Sequence, residues 1–194
     1  SIVLPILFKL NYKDYKACEG ASRYLRLLKW NEIKYDKTIE STISNRLFDL
    51  NKLLTERDEH STSDAFDKKR KQNIASYCKD FTLTEYIALL EDIEQLKKLT
   101  TKKTDYSAVL TYIIEDALSK GEDTFIDLLC YAIDSISPYL WSVRLMNVYF
   151  GSTPKKYEEL FFRLNNLGSP RRLYWLLEYH SSIPASYLDV SNDY

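Results

Sequence analysis

Apolar residues in the C-terminal half of the chain recur in a register that is unusual for its regularity. Asp105, Gly121, Ser137, Thr153 and Ser169 fall sixteen residues apart, and each is a residue type that suits the non-helical position just before a helix. Pro138, Pro154 and Pro170 follow three of them, at the first helical position, where a missing N–H costs no intrahelical bond. Four residues beyond each start stand Val109, Phe125, Trp141, Tyr157 and Leu173; eight beyond stand Ile113, Leu129, Leu145, Phe161 and Leu177. This spacing predicts five helices with their +4 and +8 side chains turned inward. The stretch from Pro138 to Phe150 is apolar nearly all round and is expected to be central, with Gly151 and Gly168 as C-terminal caps.

The N-terminal part is less regular. Ile2–Leu10 reads as a short strand or an extended arm. Tyr12–Trp30 reads as a helix on Tyr15, Cys18, Leu25 and Leu28, and Thr38–Arg57 as a second on Ile39, Ile43, Leu47, Leu50 and Leu54. Residues 56–80 are poor in large apolar side chains and predict a charged linker or an exposed helix. Beyond them Thr82 and Glu85 have capping-box spacing, and Phe81 and Tyr86 that of a hydrophobic staple. Tyr86, Leu89, Leu90, Ile93 and Leu96 then form an inward stripe.

The fold class this predicts is all-α, a multi-helix domain with antiparallel helical hairpins in its C-terminal half, either solenoid-like or an irregular bundle. Residues 1–55 would form an N-terminal arm and two helices, 56–80 the linker or exposed helix, and 81–194 the hairpin region, unless the whole is one continuous domain. The Trp, Gly-Tyr and Ala positions of tetratricopeptide repeats are not matched. Four glycines and five prolines also speak against a turn-rich β-sandwich or barrel.

Composition and charge narrow the function classes mainly by exclusion. The formal net charge of −1 gives no overall pull towards nucleic acid or acidic lipid. Cys18, Cys78 and Cys130 are three and widely spaced. A closed disulfide framework is therefore not expected, and the chain reads as intracellular and cytoplasmic. No apolar run approaches the roughly 20 residues a spanning helix needs. The chain opens on Ser1 rather than Met, which fits a processed chain or a piece of a longer one.

No catalytic pattern emerges. His60 and His180 are far apart, and neither belongs to a metal-binding helical motif. Arg172 and His180 are separated by seven residues, outside the four to six of the Arg…His pair in HEPN ribonucleases. The glycines are not clustered into a phosphate loop. Glu115/Asp116, Glu122/Asp123 and Glu158/Glu159 are sequence neighbours, so they splay about 100° apart on a helix and cannot share a substrate. No enzyme activity, cofactor or metal is expected.

Two basic clusters remain. Lys68, Lys69, Arg70 and Lys71 stand among acidic residues in the linker. Lys155 and Lys156 follow Thr153-Pro154, and Arg171 and Arg172 follow Ser169-Pro170, where exposed N–H groups and cations would suit an anion, a phosphate or a partner's carboxylate. These two tetrapeptides resemble the Ser/Thr-Pro-basic-basic repeats of histone tails. The resemblance covers eight residues and implies minor-groove contact.

The function expected is a non-enzymatic helical protein–protein interaction or scaffolding module, part of a larger assembly. Tyr139, Trp175 and Tyr179, with Arg172, are its candidate contact anchors because they lie off the inward stripe. The alternative is a nucleic-acid-binding helical domain using the basic clusters. Oligomeric state is not legible.

Overall fold

A computed structural model describes residues 12–56, 62–100, 106–136, 145, 148–149, 162–165 and 169–182. Among the described residues all regular structure is helical and no strand occurs. In chain order the elements are α1 (Tyr15–Trp30), α2 (Thr38–Thr42), α3 (Arg46–Thr55), α4 (Ser63–Tyr77), α5 (Leu83–Leu99), α6 (Tyr106–Leu118) and α7 (Glu122–Tyr131). A π-helical segment (Ala132–Ile136) continues α7, and α8 (Pro170–Ser182) follows. None of the described helices is long and apolar enough to cross a membrane. The arm expected at Ile2–Leu10 lies outside the described residues.

The chain divides into two compact units, one of Ser1–Arg70 with Gln95–Thr104 and the other of Lys71–Glu94 with Asp105–Tyr194. In the first, Asp14 caps α1 by accepting the Lys16 N–H at 3.0 Å. Cys18, Ala21, Leu25 and Leu28 then pack with Ile39 and Ile43 in one buried cluster. Their spacing of three, four and three keeps them on one helical face.

The single helix expected over Thr38–Arg57 is in fact two. It breaks at Ile43–Asn45, where Asn45 takes up extended backbone and its Oδ1 accepts the N–H groups of Leu47 (3.0 Å) and Phe48 (3.3 Å). Ser and Asn side chains offer the backbone such an alternative to a helical ladder. Ile39, Ile43, Leu50 and Leu54 remain buried on either side of the break. Of the two readings for the charged stretch, the helical one holds over Ser63–Tyr77, largely exposed with Ile74 inside.

In the second unit Glu85 reaches back to accept the Thr82 N–H at 2.7 Å. That bond holds the Glu85 carboxyl below its ordinary pKa. Phe81 and Tyr86 meet edge to face at 5.5 Å, closing the staple. All five residues of the α5 stripe are buried.

Helices α6 and α7 pack together, and the π segment packs on α8. Val109, Ile113, Phe125, Leu129 and Leu145 are buried as the sixteen-residue register requires. Helix starts fall at Tyr106, Glu122 and Pro170. The starts expected at Ser137 and Thr153 lie outside the described residues, as do Trp141, Tyr157 and Phe161. In α8 the register fails. Leu173 and Leu177 are 53% and 60% exposed, and Arg172, Trp175 and Leu176 face inward instead.

Candidate functional site

The basic run lies on α4, with Lys68, Lys69 and Lys71 exposed. Consecutive helical residues point about 100° apart, and the cations are drawn to different neighbours. The Arg70 guanidinium lies 4.2 Å over the Phe66 ring and is paired with Asp67 at 3.7 Å. Lys71 is paired with Glu115 at 3.1 Å and sits over the Tyr112 ring. Lys69 also has a partner within the chain, while Lys68 faces solvent.

The start of α8 holds an anion, but one supplied by the chain itself. Arg172, buried, donates from Nε (2.9 Å) and Nη2 (2.5 Å) to Asp134 Oδ2. Ser169 donates its hydroxyl to Oδ1 of the same carboxylate at 2.6 Å. Arg171 donates to the Asp134 backbone carbonyl at 2.6 Å. Asp134 on the π segment thus engages both arginines expected to dock a partner, although the buried Arg172 Nη1 has no hydrogen-bond partner and Arg171 stays exposed. Trp175 is corrected as well; at 1% exposure it is a core residue and cannot anchor a partner from the surface. Tyr139, Lys155 and Lys156 lie outside the described residues, and Tyr179 lies in α8 with its side chain not among those described.

Two of the three acidic pairs are structural, each member facing a different group, and Glu158 and Glu159 lie outside the described residues. Asp116 accepts from the buried Tyr86 hydroxyl at 2.6 Å, while its neighbour Glu115 pairs with Lys71. Glu122 accepts from Tyr149 at 2.6 Å, and Asp123 pairs with Arg163 at 2.6 Å. Among the described residues no cluster of His, Cys, Asp and Glu is placed to hold a metal ion. All three cysteines are buried free thiols.

A surface that the helical pattern did not single out stands at the end of α1. Trp30 is 83% exposed, with Leu27 at 57% and Ile33 at 48%. Leu27 and Trp30, three apart, share the outer face of α1. Ile33 is brought back to them by the helix cap. The Glu32 N–H donates to the Lys29 carbonyl and the Ile33 N–H to the Leu28 carbonyl (2.9 Å), with Glu32 in the left-handed region at φ 54°. This is the paired bonding of a Schellman motif, which folds the residue after the turn against the last helical turn.

An open groove of about 620 Å³, lined by none of these three side chains, runs between α1 and α3. Tyr15, Leu25, Ile43 and Phe48 give it an apolar part, and its charged lining is mixed, with Arg26 and Lys52 beside Glu19, Glu40 and Glu56. Tyr15 and Phe48 meet edge to face at 6.2 Å, and Asn51 donates to the Tyr15 hydroxyl at 3.0 Å. The signal available in the sequence was negative: Leu27 and Trp30 belong to no inward stripe, although both are large and apolar.

The chain matches no protein-family model. No curated protein and no solved structure matches it either.

Proposed function

We propose that this chain is a non-enzymatic helical interaction module that docks a partner protein through the Leu27–Trp30–Ile33 face. The observation that carries the reading is the exposure of Trp30, 83%, beside two other exposed apolar side chains. Hydrating apolar surface costs about 25 cal/mol per Å². A partner that covers three such side chains recovers that free energy, and Trp is the residue type most often found to dominate an interface. A nucleic-acid reading has less to stand on, since Arg70, Lys71, Arg171 and Arg172 are all engaged by groups of this chain.

The test is affinity capture with the intact chain and with the Leu27→Ser/Trp30→Ala double variant, identifying bound proteins and nucleic acid together. Both positions are exposed, so the variant keeps its helical circular dichroism. A protein captured by the wild type, resistant to nuclease and lost from the variant, supports the reading. Capture that is indifferent to the substitutions, or that nuclease abolishes, refutes it.

A further inference from the structure

We infer that the wide turn at Ala132–Ile136 is a latch for α8, held open by the polar start of that helix and closing to an α turn when the helix lets go. The device lies within the second unit and is independent of the Leu27–Trp30–Ile33 face.

Bonding in α7 is regular as far as Ala132, whose N–H still reaches the Leu128 carbonyl. Phe125, Leu128, Leu129 and Ala132 are fully buried and share its inner face. An α-helical residue advances by about 100°, so Asp134, nine residues after Phe125, would stand about 180° from it, on the outer face. A π turn bonds each N–H five residues back and holds more residues per turn, so each one advances by less. Asp134 is thereby left short of the outer face, on the flank it shares with Cys130. There the Arg172 cation acts on the Cys130 thiol, and the segment packs on α8. The widening is what brings the Asp134 carboxylate to Ser169 and Arg172.

Among the described residues, the bonds to Asp134 that favour the wide turn come from the start of α8. Ser169 and Arg172 hold the carboxylate, and Arg171 donates to the backbone carbonyl. That carbonyl has no α-helical donor to take, because four residues on stands Pro138, which lacks an N–H. Arg171 therefore caps the C-terminal end of α7, where a cation meets the favourable end of the helix dipole. The docked state is not fully satisfied, since the buried Arg172 Nη1 has no hydrogen-bond partner. An unmet buried donor costs free energy and brings the released state closer. Without the α8 bonds the tighter α turn is the alternative, with the Ile136 N–H on the Ala132 carbonyl. Closing it swings the Asp134 carboxylate outward, so α8 docks again only as the turn reopens. Such coupling is reciprocal, and forcing the turn closed must also loosen α8.

The test uses the isotopically labelled full chain and reads the turn from NMR couplings across its hydrogen bonds. The wild type is expected to link the Ile136 N–H to the Tyr131 carbonyl, five residues back. Asp134→Ala/Arg172→Met removes the pair without stranding a charge, and is expected to move that link to the Ala132 carbonyl. Deleting Ser135, an exposed residue of the turn, works in the reverse direction, imposing the α register with both charged residues in place. Amide hydrogen exchange in α8 is then expected to quicken at least about tenfold, the worth of one charge-assisted bond, while α5 keeps its protection.

A link to Tyr131 that survives in the double variant shows a wide turn fixed by the local sequence and overturns the latch. Loss of every hydrogen bond at Ile136 also overturns it, because the turn then has no second position. Unchanged exchange in α8 after the deletion shows that the turn does not hold that helix. Quickening of α5 by the same factor shows global opening in place of a local release, and either result overturns the inference.

Discussion

Arg172 and Asp134, 38 residues apart in the chain, are joined by two hydrogen bonds from one guanidinium to one carboxylate oxygen. The bond ties α8 to the π segment, and Ser169 and Arg171 add their own bonds to the same residue. Asp134 therefore engages all three polar residues at the start of α8, Ser169 and Arg172 through its carboxylate and Arg171 through its backbone carbonyl, while the buried Arg172 Nη1 has no hydrogen-bond partner. Apolar packing alone would let a helix rotate about its axis, whereas this contact permits one rotation.

Removing that carboxylate strands a cation. Asp134→Ala leaves Arg172 buried without its counter-ion, which is expected to cost about 2–4 kcal/mol; the lower end reflects a carboxylate about one-third open to water. Asp134→Leu/Arg172→Met, which removes both charges, is expected to recover much of that loss. Urea denaturation of the wild type, Asp134→Leu, Arg172→Met and the double variant measures the coupling. Additive effects would show that the pair contributes nothing.

Stability is also expected to fall in alkaline solution, through groups buried in the second unit. Burial and then the Asp116 carboxylate push the Cys78 thiol up to about 12 from an ordinary value of 9.0. Burial and the bond to Asp116 raise Tyr86 as well. Between about pH 9 and 12 the unfolded chain releases the Cys78 proton while the folded chain retains it. The stabilisation is therefore complete below pH 9 and is lost as pH rises through that window. Urea midpoints at pH 7, 9 and 10.5 should decline in that order, and Cys78→Ala and Tyr86→Phe should each flatten the decline. A midpoint independent of pH would contradict the burial of both groups.

Asn45 both starts α3 and fastens it to the residues ahead of α1. Its Oδ1 caps the helix, and its Nδ2 donates to the Lys13 carbonyl at 2.7 Å. Asn45→Ala is expected to lower stability by about 1–2 kcal/mol. Asn45→Asp keeps the cap acceptor but loses the donor to Lys13, so its loss should be smaller. Thermal melts of the three proteins give the order.

The features legible in the sequence were those written within a few residues. Thr82 with Glu85, Phe81 with Tyr86, and the stripe from Tyr86 to Leu96 are local spacings, and each has the contact its spacing implies. The break at Ile43–Asn45 escaped because Ile39, Ile43, Leu47, Leu50 and Leu54 keep helical spacing straight across it. The Arg172–Asp134 pair escaped because nothing near Arg172 in the chain announces a carboxylate 38 residues earlier. The Trp30 face escaped for a different reason. Periodicity marks what faces inward, and a large apolar residue off the stripe reads equally as a second buried face or as an exposed one.

Helix α8 shows how far a local register can mislead. The +4 and +8 positions, Leu173 and Leu177, were expected inside, and Trp175 on the surface. The structure turns the helix so that Arg172 meets Asp134 and the much larger Trp175 side chain is buried with Leu176. Covering Trp removes more apolar area from water than covering Leu, and a charged pair can form at the same rotation. Leu176→Ala is accordingly expected to cost about 2–4 kcal/mol and Trp175→Ala about 3–5 kcal/mol, by loss of burial and the cavity left behind. Leu173→Ser and Leu177→Ser should change stability by no more than about 0.5 kcal/mol, as exposed positions do. Urea midpoints of the four variants measure the rotation directly. Large losses at Leu173 and Leu177 with small ones at Trp175 and Leu176 would restore the +4 and +8 register and detach Arg172 from Asp134.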